Sequence, residues 1–248
     1  AKLLRGRSFY VSMLAECSAL KVLQALDLPS ISQVINAAGK FTIVAPNTNK
    51  TIDKLKKVQN DIDLWFMRHT YGQAGIGIAW TEACCSDFVC KKFKDLYKNL
   101  FQQIDKKKYQ RLNLCNNDTP QIFTSFLDSF KSELGVCAID GYSPAVKKKN
   151  DINVSSMASD HIDIGHYLAS TNFSRIFICK EKLDVKATLE NDIFGFYVSF
   201  IEEEKQKGKF GKEASSGKLL RAWDFSIAKS STDAVWSGYA RRNINSYI

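Results

Sequence analysis

The chain has 248 residues, with 35 Lys and Arg against 26 Asp and Glu for a formal net charge of +9, and 45% of it is hydrophobic. This composition excludes a largely disordered chain, and no run approaches the roughly 20 consecutive apolar residues of a membrane span. The start, Ala1-Lys2-Leu3-Leu4-Arg5-Gly6-Arg7, lacks the apolar centre of a secretion signal, and the basic balance suits a polyanion such as nucleic acid or nucleotide. The reading is a cytoplasmic protein of one large or two small domains, with no membrane partner. Its seven cysteines (Cys17, Cys84, Cys85, Cys90, Cys115, Cys137 and Cys179) are odd in number and scattered, which suits reduced thiols better than a disulfide framework. Cys84 and Cys85, with Cys90 after them, read as small core residues on a helix.

In chain order, residues 1–27 read as a helix, with Phe9, Met13, Leu14, Cys17, Leu20 and Leu23 recurring at three and four. Asp27-Leu28-Pro29-Ser30 ends it, because proline disfavours helix in the residue before it. Gln33–Asn36 and Phe41–Ala45 read as two strands joined by Ala37-Ala38-Gly39-Lys40, a hairpin connection. Pro46–Asn49 is a turn that can cap the next helix, which has the cleanest period in the chain: Ile52, Leu55, Val58, Ile62, Trp65 and Phe66. Lys54, Lys56, Lys57 and Asp61 form its solvated face. Gly75–Trp80 reads as a buried strand. A third helix carries Phe88, Phe93, Leu96, Tyr97, Leu100, Phe101 and Ile104, and Lys106-Lys107-Lys108 closes it with cations that complement the dipole.

The order α-β-β-α-β-α predicts an α+β sandwich of the ferredoxin-like or palm type, without the strand that opens a palm. A short helix within 112–135, with Ile122, Phe123, Phe126, Leu127 and Phe130, leads out of this first unit. After Gly135 the chain turns polar through Ser159, with Gly141, Pro144 and the basic run Lys147-Lys148-Lys149. Asp160–Leu168 reads as a helical turn. Strands follow at 175–179, 193–200 and 219–227, with a charged, mobile loop at 202–218. The expected division is a palm domain over 1–134 and a small mixed α/β linker domain over 135–248.

Several segments carry one resemblance: Leu4–Tyr10 (LRGRSFY), Ala37–Thr48 (AAGKFTIVAPNT), Asp140–Ala145 (DGYSPA), Asp160–Gly165 (DHIDIG), Leu220–Asp224 (LRAWD) and Ala240–Tyr247 (ARRNINSY). Their order and spacing resemble the large, polymerase/cyclase-like subunit of type III CRISPR effector complexes, in its Csm branch. The resemblance implies a first palm domain plus linker, within a longer protein that also holds an HD nuclease domain and a second palm. It implies that the parent joins a guide-RNA complex with other subunits, senses target RNA, makes cyclic oligoadenylate from ATP with Mg²⁺ or Mn²⁺, and cleaves single-stranded DNA.

None of those catalytic motifs stands in these residues. Asp160-His161 reverses the HD pair, and Ala37–Lys40 has no carboxylate where the second palm has GGDD, so the chain alone is expected to be inactive. What remains is one face of an ATP site shared with the second palm. The resemblance places Ser8 at the nucleotide, with Arg7 beside it. A hydroxyl, a guanidinium and free N–H groups at a helix start would form a phosphate corner, although Ser8 also reads as an ordinary helix serine. Gly39, with Lys40, would permit close approach of a ligand or serve the hairpin turn, and the turn is the stronger reading.

The family's linker carries two Cys-x-x-Cys pairs for zinc. Here Cys137-Ala138-Ile139-Asp140 keeps one thiol, and Val154–Ser159 has none. Cys137, Asp140, His161 and His166 remain as conceivable ligands, but structural zinc favours thiolate-rich sets, so a metal-free and partly disordered loop is expected. A second class of function, a non-enzymatic RNA-binding or scaffolding module of a ribonucleoprotein, fits the basic charge equally well.

Overall fold

The computed structural model describes residues 2–37, 39–89, 91–110, 112, 127–130, 133–170, 172–202 and 216–224. The chain forms two compact units, Ala1–Leu14 with Ser132–Ile248 and Ala15–Lys131. Helix α1 (Lys2–Leu26) therefore gives its first half to one unit and its second half to the other. The architecture is mixed α/β with three small antiparallel sheets among the described residues. Of the expected helix within 112–135, Leu127–Ser129 forms a 3₁₀ turn, while residues 113–126, the bulk of the 202–218 loop, residues 225–227 and the Ala240–Tyr247 segment lie outside the described residues.

In the Ala15–Lys131 unit, α1 buries small residues as well as its expected stripe: Ala15, Ser18 and Ala19 are as closed as Cys17, Leu20 and Leu23. By length and composition α1 is long and apolar enough to cross a membrane, but Glu16 and Lys21 interrupt its apolar run and 56% of its most apolar window is buried, as in a core helix. Glu16 is buried too and accepts a hydrogen bond from the Asn36 amide. The helix stops in a Schellman pattern: Asp27 turns left-handed at φ 56°, its N–H reaches Gln24 O, and Leu28 N–H reaches Leu23 O at 2.9 Å. Pro29 then bars continuation.

Strands β1 (Gln33–Ala37) and β2 (Lys40–Ile43) form the expected hairpin, closing on the Ala37–Lys40 pair. Helix α2 (Asn49–Thr70) is capped by Thr48, whose hydroxyl accepts from Thr51 N–H, and ends at left-handed Tyr71. It buries Leu55, Val58, Ile62, Trp65 and Phe66 as the period requires, together with Gln59 and Asp63. Lys56 and Lys57 are solvated, and Asp61 meets Lys21 of α1 at 3.4 Å.

Two expectations fail in this unit. Residues 75–80 are not a strand, and only Ile78 among them is buried. A buried strand needs a ladder, whereas here the Gln59 side chain satisfies this backbone, donating to Ile76 O at 2.9 Å and accepting from Ile78 N–H at 2.6 Å. Cys84 and Cys85 are exposed at a short 3₁₀ turn (Cys85–Phe88) instead of in the core. Phe88 belongs to that turn, so the third helix, α3, runs Lys92–Tyr109 and buries none of its residues.

In the other unit, residues 136–159 are ordered, against the expected disordered loop. Strands β3 (Lys147–Lys149) and β4 (Ile152–Val154) pair across Asn150 and Asp151, both at positive φ, the geometry of a tight hairpin turn. The basic run is thus a strand. Ser155 caps α4 (Ser156–Tyr167) by accepting from Ala158 N–H at 3.2 Å.

The three-stranded sheet places β5 (Phe173–Cys179) between β6 (Tyr197–Glu202) and β7 (Leu219–Asp224). Strand β6 starts later than its apolar run because Phe194 and Gly195, at φ 56° and 89°, make a turn between Ile193 and Phe196. Phe177, Cys179, Leu183 and Ile201 pack as one cluster of its core. Tyr167 packs at a tilt against Phe173 and Phe200, and Phe9 of α1 reaches Phe200 at 6.4 Å.

Candidate nucleotide site and its surroundings

Arg7 and Ser8 are both exposed on α1. Because α1 begins at Lys2, Ser8 lies beyond the first turn, and its N–H is committed to the helix. The corner therefore offers a hydroxyl and a guanidinium without the free N–H groups the sequence reading added to them. Arg7 is anchored: its Nη2 donates to Ile139 O at 3.3 Å.

Their position is set by a backbone-to-backbone helix crossing. A Cβ on Gly6 would come 1.9 Å from His161 O, and one on Gly165 would come 2.1 Å from Lys2 O. Only glycine fits at either place, so α1 and α4 meet at the glycines of LRGRSFY and DHIDIG. Tyr10 then lies edge-on to His161 at 4.7 Å. Burial, with Arg7 acting in the same sense, pushes the His161 pKa down to about 4 against the opposing pull of Asp140.

Where zinc thiolates would stand, hydrogen bonds organise the loop. Asp140 Oδ1 accepts from Tyr142 N–H at 3.1 Å and Ser143 N–H at 2.9 Å, and Oδ2 accepts from the Ser155 hydroxyl at 3.3 Å. Burial alone would raise the Asp140 pKa, but the Ser143 and Tyr142 N–H groups, with the Ser143 and Cys137 side chains, hold it below the ordinary carboxylate value. Cys137 is fully buried against Val154 and Ala158. His161 faces Tyr10, while His166 is exposed on α4 and lies beside Tyr167. Residues five apart on a helix point some 140° apart, so the two histidines do not converge. Among the described residues, no group of three His, Cys, Asp or Glu side chains could hold a metal ion.

The other two site residues belong to the Ala15–Lys131 unit. Gly39 has φ 71°, so the hairpin turn accounts for the glycine. Lys40 is exposed, and its ammonium lies 5.3 Å from the Phe101 ring centre on α3.

Besides Glu16, two further carboxylates are buried, and neither burial was anticipated from the sequence. Asp160 accepts from Glu190 N–H, Asn191 N–H and the Asn191 amide at 2.7–3.0 Å, tying α4 to the segment after residue 188. Burial raises its pKa to about 6 against those donors. Asp63 accepts from the Gln59 amide at 2.9 Å, and its pKa is raised by burial, with Gln59 and Lys107 opposing. Polar residues at i and i+4 inside the apolar face of α2 were the available signal for this second pair.

The family model for Csm1 subunit domain B matches residues 1–127. The Cas10/Csm1 single-strand-specific deoxyribonuclease (subtype III-A) of Thermococcus onnurineus is 27% identical over 113 residues, covering 46% of this chain and 14% of the relative. Its counterpart in Enterococcus italicus is 23% identical over 139 residues, covering 55% of this chain and 18% of the relative. The chain thus spans less than a fifth of the curated relatives it matches. In fold it is similar to the Csm1–Csm4 subcomplex of the type III-A CRISPR-Csm interference complex, with TM-score 0.53 and 18% identity over 81% of this chain and 23% of that one. The Csm1–Csm4 cassette in complex with one ATP gives TM-score 0.52 and 19% identity over 81% of this chain and 22% of that one. With domain B matched over half its length, and the LRGRSFY helix and AAGK hairpin inside the matched part, the chain belongs to the Csm1 family of type III-A CRISPR large subunits.

Proposed function

We propose that this chain is the first palm and linker of its parent large subunit and contributes one face of a composite ATP site for cyclic oligoadenylate synthesis. Ser8 and Arg7 form that face, a second palm domain of the parent closes the site, and Gly39 and Lys40 of the Ala15–Lys131 unit are separate candidate nucleotide contacts. The observation that carries this reading is the exposed Ser8 beside an Arg7 braced by Ile139, in a fold whose solved relatives include a Csm1–Csm4 cassette with bound ATP. The hydroxyl orients a phosphate or ribose oxygen by hydrogen bonding, and the guanidinium offsets phosphate charge.

The residues present do not fit the divalent metal of the reaction. Mg²⁺ takes carboxylate oxygens, and the hairpin tip offers only Gly39 and Lys40. The metal and the transfer step therefore belong to other residues of the parent, as does the deoxyribonuclease activity named for the curated relatives. A Csm4-type subunit and guide and target RNA are the proposed partners of the whole assembly.

The test is a titration of ATP into this chain combined with the parent's second palm. Ser8→Ala should weaken binding about tenfold, consistent with loss of one hydrogen bond to a charged group. Unchanged affinity in both Ser8→Ala and Arg7→Ala would remove the proposal, and steeply salt-dependent RNA binding indifferent to Ser8 would favour a scaffolding role.

A further inference from the structure

The Gln59–Asp63 pair faces a cavity of about 300 Å³, the size of a small-ligand site. Asp63 is 7% exposed and Gln59 occupies its Oδ1, while no hydrogen bond reaches Oδ2 among the described residues. Across the cavity stand Lys107 and Lys108, in the last turn of α3. Lys108 pairs with Asp105 at 2.7 Å, whereas Lys107 makes no ion pair among the described residues. The Lys107 stem lies over Gly77, where an added Cβ would come within 2.9 Å of Lys107 Cγ. Gln59 takes up Ile76 O and Ile78 N–H, leaving the N–H groups of Gly75, Ile76 and Gly77 without an acceptor among the described residues.

This lining is selective. A free carboxylate oxygen repels a ligand that is only anionic, and two ammonium groups repel one that is only cationic. The occupant must bring an N–H donor and an anionic group within one small molecule's length. We infer that the cavity is a nucleotide site in which an amino-bearing base donates to Asp63 Oδ2 and the phosphate meets Lys107, Lys108 and the N–H groups of Gly75–Gly77. Adenine, cytosine and guanine carry such an amino group. Uracil offers only N3–H, between two carbonyls that the carboxylate repels. The nucleotide is either free or one unit of an RNA strand. This inference is independent of the reading at Ser8.

Calorimetric titration of the whole chain with AMP, CMP, GMP, UMP and inorganic phosphate tests it, with A, C and U nine-mers as a second arm. The amino-bearing nucleotides should bind at least about tenfold tighter than UMP or phosphate. Asp63→Asn should erase that preference, Lys107→Met, which keeps the stem over Gly77, should weaken binding about tenfold, and Lys56→Ala, on the solvated face of α2, should change nothing. If only the A and C nine-mers bind, with the same dependence on Asp63 and Lys107, the source is a strand. Equal binding of UMP or phosphate, insensitivity to both variants, loss in Lys56→Ala, or no binding in either arm would overturn it. Circular dichroism on each variant separates loss of the site from loss of the fold.

Discussion

Helices α2 and α3 belong to the same unit, carry apolar residues at the same three-and-four spacing, and end in opposite surroundings. α2 buries Leu55, Val58, Ile62, Trp65 and Phe66, with Phe66 only 1% exposed. α3 buries none of its residues, and Phe93 and Phe101 stay 41% and 43% exposed. Its rings contact one another instead: Phe93 lies 4.7 Å from Tyr97, Tyr97 lies 6.0 Å from Phe101, and Lys40 covers Phe101. Periodicity therefore identifies a face and leaves its coverage open. Coverage depends on what other segments bring to that face, which no local spacing records.

The largest expected break in this comparison is Phe66→Ala, which should destabilise the protein by about 3–5 kcal/mol in urea unfolding, against less than about 1 kcal/mol for Phe101→Ala. Similar losses in the two variants would mean that α3 is covered after all. Gly6→Ala probes the tightest closure, where α1 and α4 meet at the backbone. It should cost about 1–3 kcal/mol by the same measurement, while Gly141→Ala, where nothing lies within 4 Å of the added methyl, tests only the strain of its positive φ.

The closed α1–α4 region also carries a pH signature. His161 has its folded pKa lowered to about 4, so its contribution is present above pH 6.5 and is lost as pH falls towards 4. Asp160, raised to about 6, works in the opposite sense: it disfavours folding above pH 6 and gains stability as pH falls towards 3.8. The two slopes oppose each other between pH 6 and 4. His161→Gln removes one of them, so on going from pH 7 to 4.5 the variant should gain about 2 kcal/mol of unfolding free energy relative to the parent chain. Parallel pH profiles would show that His161 is not held neutral. The smallest expected effect lies on the open side: Lys40→Ala should cost about 0.5 kcal/mol through the lost contact with Phe101.

The legible parts of the molecule are those with local causes. The Thr48 cap, the α2 face, the stop at Pro29 and the Gly39 turn each depend on residues within a few positions, and each formed as read. The β3–β4 hairpin was also local, but the Asn150-Asp151 turn was missed because residues 136–159 were read as one polar, partly disordered loop. Of the candidate site, the exposure of Arg7 and Ser8 suits the expectation, whereas the helix start they were to share does not reach them.

By itself the sequence determined the family, the positions of α1, α2 and the β1–β2 hairpin and the lack of a metal-binding carboxylate set at residues 37–40, since residue identity and short-range backbone preference settle these. Only the tertiary structure decided that residues 75–80 are held by the Gln59 side chain instead of a ladder, that Gly6 and Gly165 close one crossing, and that Asp63 and Lys107 share a cavity. Each joins residues far apart in the chain, and such contacts are set by how much buried surface and hydrogen bonding the whole fold can satisfy at once.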